Sequence, residues 1–172
     1  MEIIKVHYTP GKEVKKYSEI EKDAKEMTEL ISGGIKRGEY NKGHALAHGQ
    51  VSDDPFAFFV LSDSFFEQYE WPGQVIINPE IIKTPQFINI AEKGKSEDKR
   101  KNTMVYKEGC FSFPHRKPKR VERFFRIKVR YQIKGTLGLK SVKEWIEGIK
   151  AHVFQHEVQH IIGKNIYFEV LK

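Results

Sequence analysis

Apolar and polar residues alternate along residues 125–133. Phe125, Ile127, Val129, Tyr131 and Ile133 are apolar, and Arg126, Lys128, Arg130 and Gln132 between them are polar. A period of two is that of a strand with one face on a core. Lys134-Gly135 predicts a turn, and residues 137–139 a partner strand returning as a hairpin. Shorter apolar runs predict further strands at residues 3–6, 56–61, 74–77 and 87–91, with Asn78-Pro79 breaking the third. Residues 103–106 lead into the stretch Glu108-Gly109-Cys110-Phe111-Ser112-Phe113-Pro114, and 167–171 suit a last strand or a short helical tail.

Two stretches change to the helical period. Ser18-Glu19-Ile20-Glu21 reads as a capping box opening a helix with Ile20, Ala24, Met27 and Ile31 on its apolar face, ended by Gly33 and Gly34. Ser141-Val142-Lys143-Glu144 reads the same way and places a second helix start near Val142. Trp145, Ile149, Val153, His156 and His160 then share one face, and Gly163 is the stop. No repeat or linker interrupts the series. The pattern predicts one α+β domain over residues 1–172, with mostly antiparallel sheets packed around a long C-terminal helix.

Composition narrows the class. The chain has 172 residues, 39% hydrophobic and 31% charged, which suits one soluble globular domain with an ordinary core. No apolar run is long enough to span a membrane, and the first residues have no secretory h-region. The single cysteine, Cys110, allows no internal disulfide, so a reducing cytoplasm is the simplest setting. The net charge of +7 is concentrated in residues 115–120 and on to Arg123 and Arg126. That tract reads as a solvated loop leading into a strand, with loose contact to ribosomal RNA as the sharper alternative. It shows no base-reading motif, and DNA binding is not expected. The charged stretch 92–102 reads as an exposed loop with no assigned role.

The chemistry lies on the second helix, in His156-Glu157-Val158-Gln159-His160. Positions four apart sit one turn apart on one helix face, so His156 and His160 can hold one ion together. Glu157, next to the first ligand, can take a proton from the water that the ion activates. A catalytic site of this kind needs a third protein ligand and one open position. Cys110, after Gly109 and shortly before Ser112 and Pro114, is the candidate. The Gly-rich stretch 43–50, just before a strand, lets a ligand approach the backbone closely.

Three segments together resemble the peptide deformylases. That family carries G-x-G-L-A-A-x-Q, then E-G-C-L-S, then Q-H-E-x-D-H-L-x-G. This chain reads G-H-A-L-A-H-G-Q from Gly43 to Gln50, E-G-C-F-S from Glu108 to Ser112, and Q-H-E-V-Q-H-I-I-G from Gln155 to Gly163. Ile77-Asn78-Pro79-Glu80-Ile81 is also similar to the family's I-N-P-E-I. The resemblance implies Cys110, His156 and His160 as ligands of one divalent ion, Fe²⁺ natively, with Zn²⁺, Ni²⁺ or Co²⁺ able to replace it. It implies Glu157 as acid/base, Gln50 and the Phe111 backbone N–H as oxyanion donors, and Glu108 as support behind a ligand. Gly43, His44, Ala45, Leu46, Gly109, Ile149, His152 and Val153 would line the substrate site. The implied reaction removes the formyl group from the N-terminal methionine of nascent peptides, releasing formate, in the cytoplasm and as a monomer.

Several residues depart from the pattern. Ala45 replaces a glycine, His48 an alanine, Phe111 a leucine and Gln159 an aspartate, while His44 and His152 stand where apolar residues are usual. None of these removes a catalytic group. Some family members dock on the ribosome through a C-terminal helix. Only twelve residues follow His160 here, so any ribosome contact is expected to rest on surface charge and to be weak. Two rival readings use the same residues. A zinc peptidase would take its third ligand downstream, where Glu169 is the sole acidic residue. A silent binding module of the same fold would hold formylated chains without cleaving them.

Overall fold

The computed structural model describes residues 9–36, 43–85 and 102–167. A 3-10 turn, Tyr17–Glu19, leads into α1 (Glu21–Lys36). Then come β1 (Ala45–Ala47), a 3-10 turn at His48–Gln50, β2 (Phe58–Leu61), α2 (Asp63–Gln68) and β3 (Val75–Lys83). β4 (Thr103–Glu108) and β5 (Lys119–Phe124) form a two-stranded sheet. β6 (Arg126–Gly135), β7 (Gly138–Glu147) and α3 (Gly148–Ile161) complete the order. The main sheet runs β1-β2-β3-β6-β7 with every neighbouring pair antiparallel. This is the expected α+β architecture.

The sheet has two different faces because its side chains alternate. On one face Ala45, Ala47, Phe59, Leu61, Val129, Tyr131 and Ile133 pack with Ala151, Val153, Phe154 and Ile161 of α3. On the other, Leu46, Phe58, Val60 and Ile77 pack with Ile20, just before α1, and with Ala24, Met27 and Ile31 of α1. Helix α1 thus covers the β1–β3 half of its face. Beyond it, along β6 and β7, the same face carries Arg126, Lys128, Arg130, Lys134, Lys143 and Trp145.

Several expected boundaries move. Ser141–Glu144 does not begin a helix: residues 138–147 form β7 and pair with β6 through ten registered positions. The helix begins at Gly148, whose φ of 60° turns the chain out of the strand. Trp145 therefore lies on the exposed face of the sheet, not on the ligand face of α3. A long registered hairpin outweighs a local capping pattern. Gly33 and Gly34 do not end α1, which continues to Lys36.

Asn78-Pro79 does not end β3 either. Asn78 sits at φ 47°, within a register shift between Ile77 and Glu80. Its side-chain amide bonds both the N–H and the C=O of Val14, and also Gln132 on β6. A bulge is where a sheet tolerates proline. The strand expected at 56–61, β2, begins at Phe58, with Phe56 joined to Lys12 by an isolated bridge. Helix α2, capped by the Ser62 hydroxyl on Phe65 N–H, has no counterpart in the sequence reading. The strands expected at residues 3–6 and 87–91 and the tail beyond 167 lie outside the described residues, as does 92–101 of the charged loop.

Candidate metal centre

Helix α3 presents His156 and His160 one turn apart, and the loop after β4 brings Cys110 to them. His160 Nε2 lies 3.3 Å from Cys110 Sγ and 3.2 Å from His156 Nε2. The three ligand atoms all lie within 4.8 Å of one another, and the residues are buried or half-buried. Glu108 Oε2 accepts a 2.9 Å hydrogen bond from His156 Nδ1–H. That bond fixes the tautomer and leaves the Nε2 lone pair aimed at the other two donors. Three convergent donors with one imidazole held in its ligating tautomer fit a single divalent ion.

Glu108 is the hub behind the ligands. Arg123 of β5 donates to both of its oxygens at 2.8 Å, and His152 Nε2 lies 2.8 Å from Oε1. Burial alone would raise this carboxyl's pKa. The hydrogen bonds from Arg123, His152 and His156 override that and hold it well below the usual range. Arg123 also donates to Gln159 Oε1 at 2.8 Å, so the amide found in place of the family's aspartate is still an acceptor. Gln155 holds the small sheet against α3, accepting from Phe124 N–H and donating to Phe124 C=O and Ala151 C=O.

Glu157 is 3% exposed, and its Oε2 has no hydrogen-bond partner among the described residues. Burial, with the charge of Glu108 adding, pushes its carboxyl up to about 8. Burial likewise pushes the Cys110 thiol up to about 11. Gln50 Oε1 accepts from Ala47 N–H at 2.9 Å, which turns the Gln50 amide nitrogen towards the site. Nε2 then lies 3.1 Å from Ser112 Oγ and 3.7 Å from Cys110 Sγ.

One cavity of about 590 Å³ joins these groups. Gly43, His44, Ala45, Gly109, Phe111, His152 and Val153 line it together with Gln50, Cys110, His156 and Glu157. A Cβ on Gly43 would meet the Phe111 ring at 1.9 Å, so a larger residue there would push that ring aside. Two expected lining residues are elsewhere. Leu46 points to the α1 side of β1, as strand alternation demands, and is fully buried there. Ile149 packs on the α3 core. Three residues of the site went unrecognised in the sequence. Arg123 was grouped with the basic tract, although its inward register opposite Met104 sets it apart. Ser112 reads only as a neighbour of Cys110, not as the partner of Gln50, and Tyr106, which stacks on His152 at 4.0 Å, carries no local signal.

His48 secures the turn that carries Gln50. Its Nδ1 accepts from Phe56 N–H at 2.9 Å, so the proton is on Nε2, 3.3 Å from Asp23 of α1. Burial holds this ring below its ordinary value of 6.5 against the pull of Asp23, and burial does the same to His156 and His160. In metal-free protein each ring stays neutral when folded and gains a proton when unfolded. The folded state therefore loses stability as pH falls below about 6.5, with the proton that Glu157 holds only when folded offsetting part of the loss. The urea midpoint of metal-stripped protein is expected to fall between about pH 7 and pH 5, and to fall less steeply in His48→Gln. A flat profile would contradict the neutral rings.

A Cys-His-His donor set with a buried carboxyl and an amide donor around one cavity defines the class: a one-metal centre built on the face of an antiparallel sheet and its helix. The chain belongs to the polypeptide deformylase family, whose profile matches residues 3–171. It is similar to the peptide deformylase of Thermotoga petrophila, 39% identical over 104 residues, which are 60% of this chain and 52% of that protein. It is also similar to that of Aquifex aeolicus, 32% identical over 139 residues, 81% of this chain and 70% of that protein. The match with the Thermotoga petrophila protein thus spans about half of that relative's length. The crystal structure of peptide deformylase from Thermotoga maritima superposes with a TM-score of 0.67 at 28% identity, covering 100% of both chains.

Proposed function

We propose that this chain, as one domain over residues 1–172, hydrolyses the N-formyl group of N-formylmethionyl nascent peptides and releases formate. The observation that carries this reading is the shared cavity: Cys110, His156 and His160 converge on one point, with the free oxygen of Glu157 and the amide nitrogen of Gln50 beside it. The same residues, together with the Phe111 backbone N–H, match the motifs of the family. Cys110, His156 and His160 would hold one divalent ion, natively Fe²⁺, with Zn²⁺, Ni²⁺ or Co²⁺ also suited to one sulfur and two nitrogens. Bound there, the ion supplies Lewis acidity that makes water nucleophilic near neutral pH.

The protein groups account for the rest. Glu157 takes the proton of the attacking water and delivers it to the amine as the C–N bond breaks. Gln50 Nε2 and the Phe111 N–H donate to the carbonyl oxygen as charge develops on it. Glu108 keeps His156 in its ligating tautomer. Cys110 completes the ligand set from β4's end of the molecule, which favours this reading over a peptidase with a downstream ligand. We place the protein in the cytoplasm as a monomer, with any ribosome contact weak and salt-sensitive. The test is formate release from formyl-Met-Ala-Ser, with metal analysis of the same sample. One ion per chain and turnover support the reading, and a metal-loaded protein that releases no formate would exclude it.

The cavity wall sets side-chain preference. His152 is held by Glu108, stacked on Tyr106, and has a buried Nδ1 with no partner among the described residues. His44 lines the same cavity, its ring 4.7 Å from Phe65. Two imidazoles make this wall more polar than isoleucine would. His152→Ile is expected to raise the preference for formyl-Met-Ala over formyl-Ala-Ala in kcat/KM, mainly through KM, by roughly fourfold per CH₂ newly buried at ~0.8 kcal/mol each. An unchanged ratio would show that substrate does not touch His152.

A further inference from the structure

The sheet face that α1 leaves open is unlike the rest of the surface. Across it Lys83 of β3 is registered with Lys128 of β6, and Lys128 with Trp145 of β7. The next row is Glu80, Arg130 and Lys143, and the row beyond Trp145 is Arg126 with Glu147. Five cations share this area with two carboxylates. One of those, Glu80, is bonded to Arg130. Lys83 faces Lys128 directly, and like charges so placed cost stability, whereas Arg130, which faces Lys143, already has Glu80 as a counter-charge. A surface that keeps such a pair gains when an anion neutralises it.

The face also carries an aromatic platform. Trp145 is 38% exposed, with the Arg126 guanidinium 4.9 Å and the Lys128 ammonium 5.8 Å from its ring centre. It borders a cleft of about 430 Å³ lined by Pro85, Asn102, Phe125 and Arg126. Flat apolar walls, an amide and a guanidinium suit a nucleobase. The cations at alternate positions of β6 stand about 6.8 Å apart along the strand, a track for a backbone that carries one charge per unit. Cations beside an exposed aromatic are how single-stranded nucleic acid is held without sequence readout.

We propose that the exposed β6–β7 half of the main sheet binds single-stranded RNA, with one base in the cleft against Trp145 and phosphates along Arg126, Lys128, Arg130 and Lys143. This face lies on the opposite side of the sheet from α3 and its metal ligands, and the proposal is independent of the deformylase reading. An acidic protein would satisfy the charges but not the cleft, and a duplex would present its phosphates with its bases stacked away.

The test is fluorescence anisotropy of the metal-loaded full chain with labelled U₁₂ RNA at 50 and 200 mM salt, with polyglutamate and duplex RNA of matched length as competitors. The expected result is binding that weakens with salt at a log–log slope of about −3, as four neutralised phosphates give for a single strand. Trp145→Ala is expected to weaken binding about 5- to 100-fold. The pair Lys128→Gln and Lys143→Gln is expected to weaken it at least about tenfold and to flatten the slope. Formate release from a short formyl peptide should stay unchanged in both variants, and the thermal melt of the double lysine variant should not fall, showing that they fold. Absence of RNA binding at 50 mM salt would overturn the proposal. So would equal competition by polyglutamate or duplex RNA, or binding indifferent to Trp145 and the two lysines.

Discussion

Glu157→Gln is expected to lower formate release by at least ~100-fold while metal content stays at the wild-type level. The side chain is nearly fully buried and lines the same cavity as the ligands, with one oxygen lacking any partner among the described residues. Glutamine keeps the shape and the hydrogen-bonding length but cannot accept and return a proton. With Cys110, His156 and His160 as the proposed ligands, affinity for the ion should not fall. Single-turnover kinetics with metal analysis of the same preparation decides the matter. A variant retaining more than about a tenth of the wild-type rate would remove Glu157 from the proton path.

The second large effect is expected at Glu108→Ala. This substitution strands the Arg123 guanidinium, which is 6% exposed and donates to both Glu108 oxygens. Breaking one partner of a buried pair costs about 3–5 kcal/mol, because the remaining charge has lost its counter-charge. The substitution also frees the His156 ring to turn, and losing a partner behind a ligand typically costs about 10- to 100-fold in metal affinity. Urea unfolding of metal-stripped protein measures the first effect, and competition with a chelator the second. Stability within about 1 kcal/mol of wild type would mean that Gln159 and water suffice for Arg123. Replacing Arg123 by Met as well should recover part of the loss, since no buried charge is then left alone.

The site was more legible in the sequence than the scaffold that holds it. Ligands on one helix follow from a spacing of four, and the Cys110 segment is marked by its neighbours Glu108, Gly109 and Ser112. The start of that helix was not legible. Ser141 to Glu144 satisfies a local capping rule, yet Val142 is registered with Tyr131 and Lys143 with Arg130, and those pairings are known only once the hairpin closes. Asn78-Pro79 has the same lesson with the opposite sign. A local breaker becomes a bulge inside β3 because Val14 and Gln132 supply partners for the Asn78 amide from distant parts of the chain. Arg123 was hidden in another way. Its charge matched the tract before it, and only the pairing of β5 with β4 turns it inward to Glu108.

The fastening of the N-terminal segment bears on the order in which the molecule can be completed during synthesis. Gly11 N–H bonds the carbonyl of Ile161 at the end of α3, and a Cβ on Gly11 would stand 2.8 Å from the Ala57 backbone. Val14 is held by Asn78, 64 residues further along. Closing a loop of that length costs about 3.7 kcal/mol of chain entropy by the logarithmic rule, so these contacts form only when the sheet already offers them. Gly11 and Val14 must therefore wait for Ile161 and Asn78, which are made later. While the last turn of α3 is still inside the ribosome, the segment around Gly11 stays unfastened, and α3 gains this clasp only once Ile161 is free to accept it.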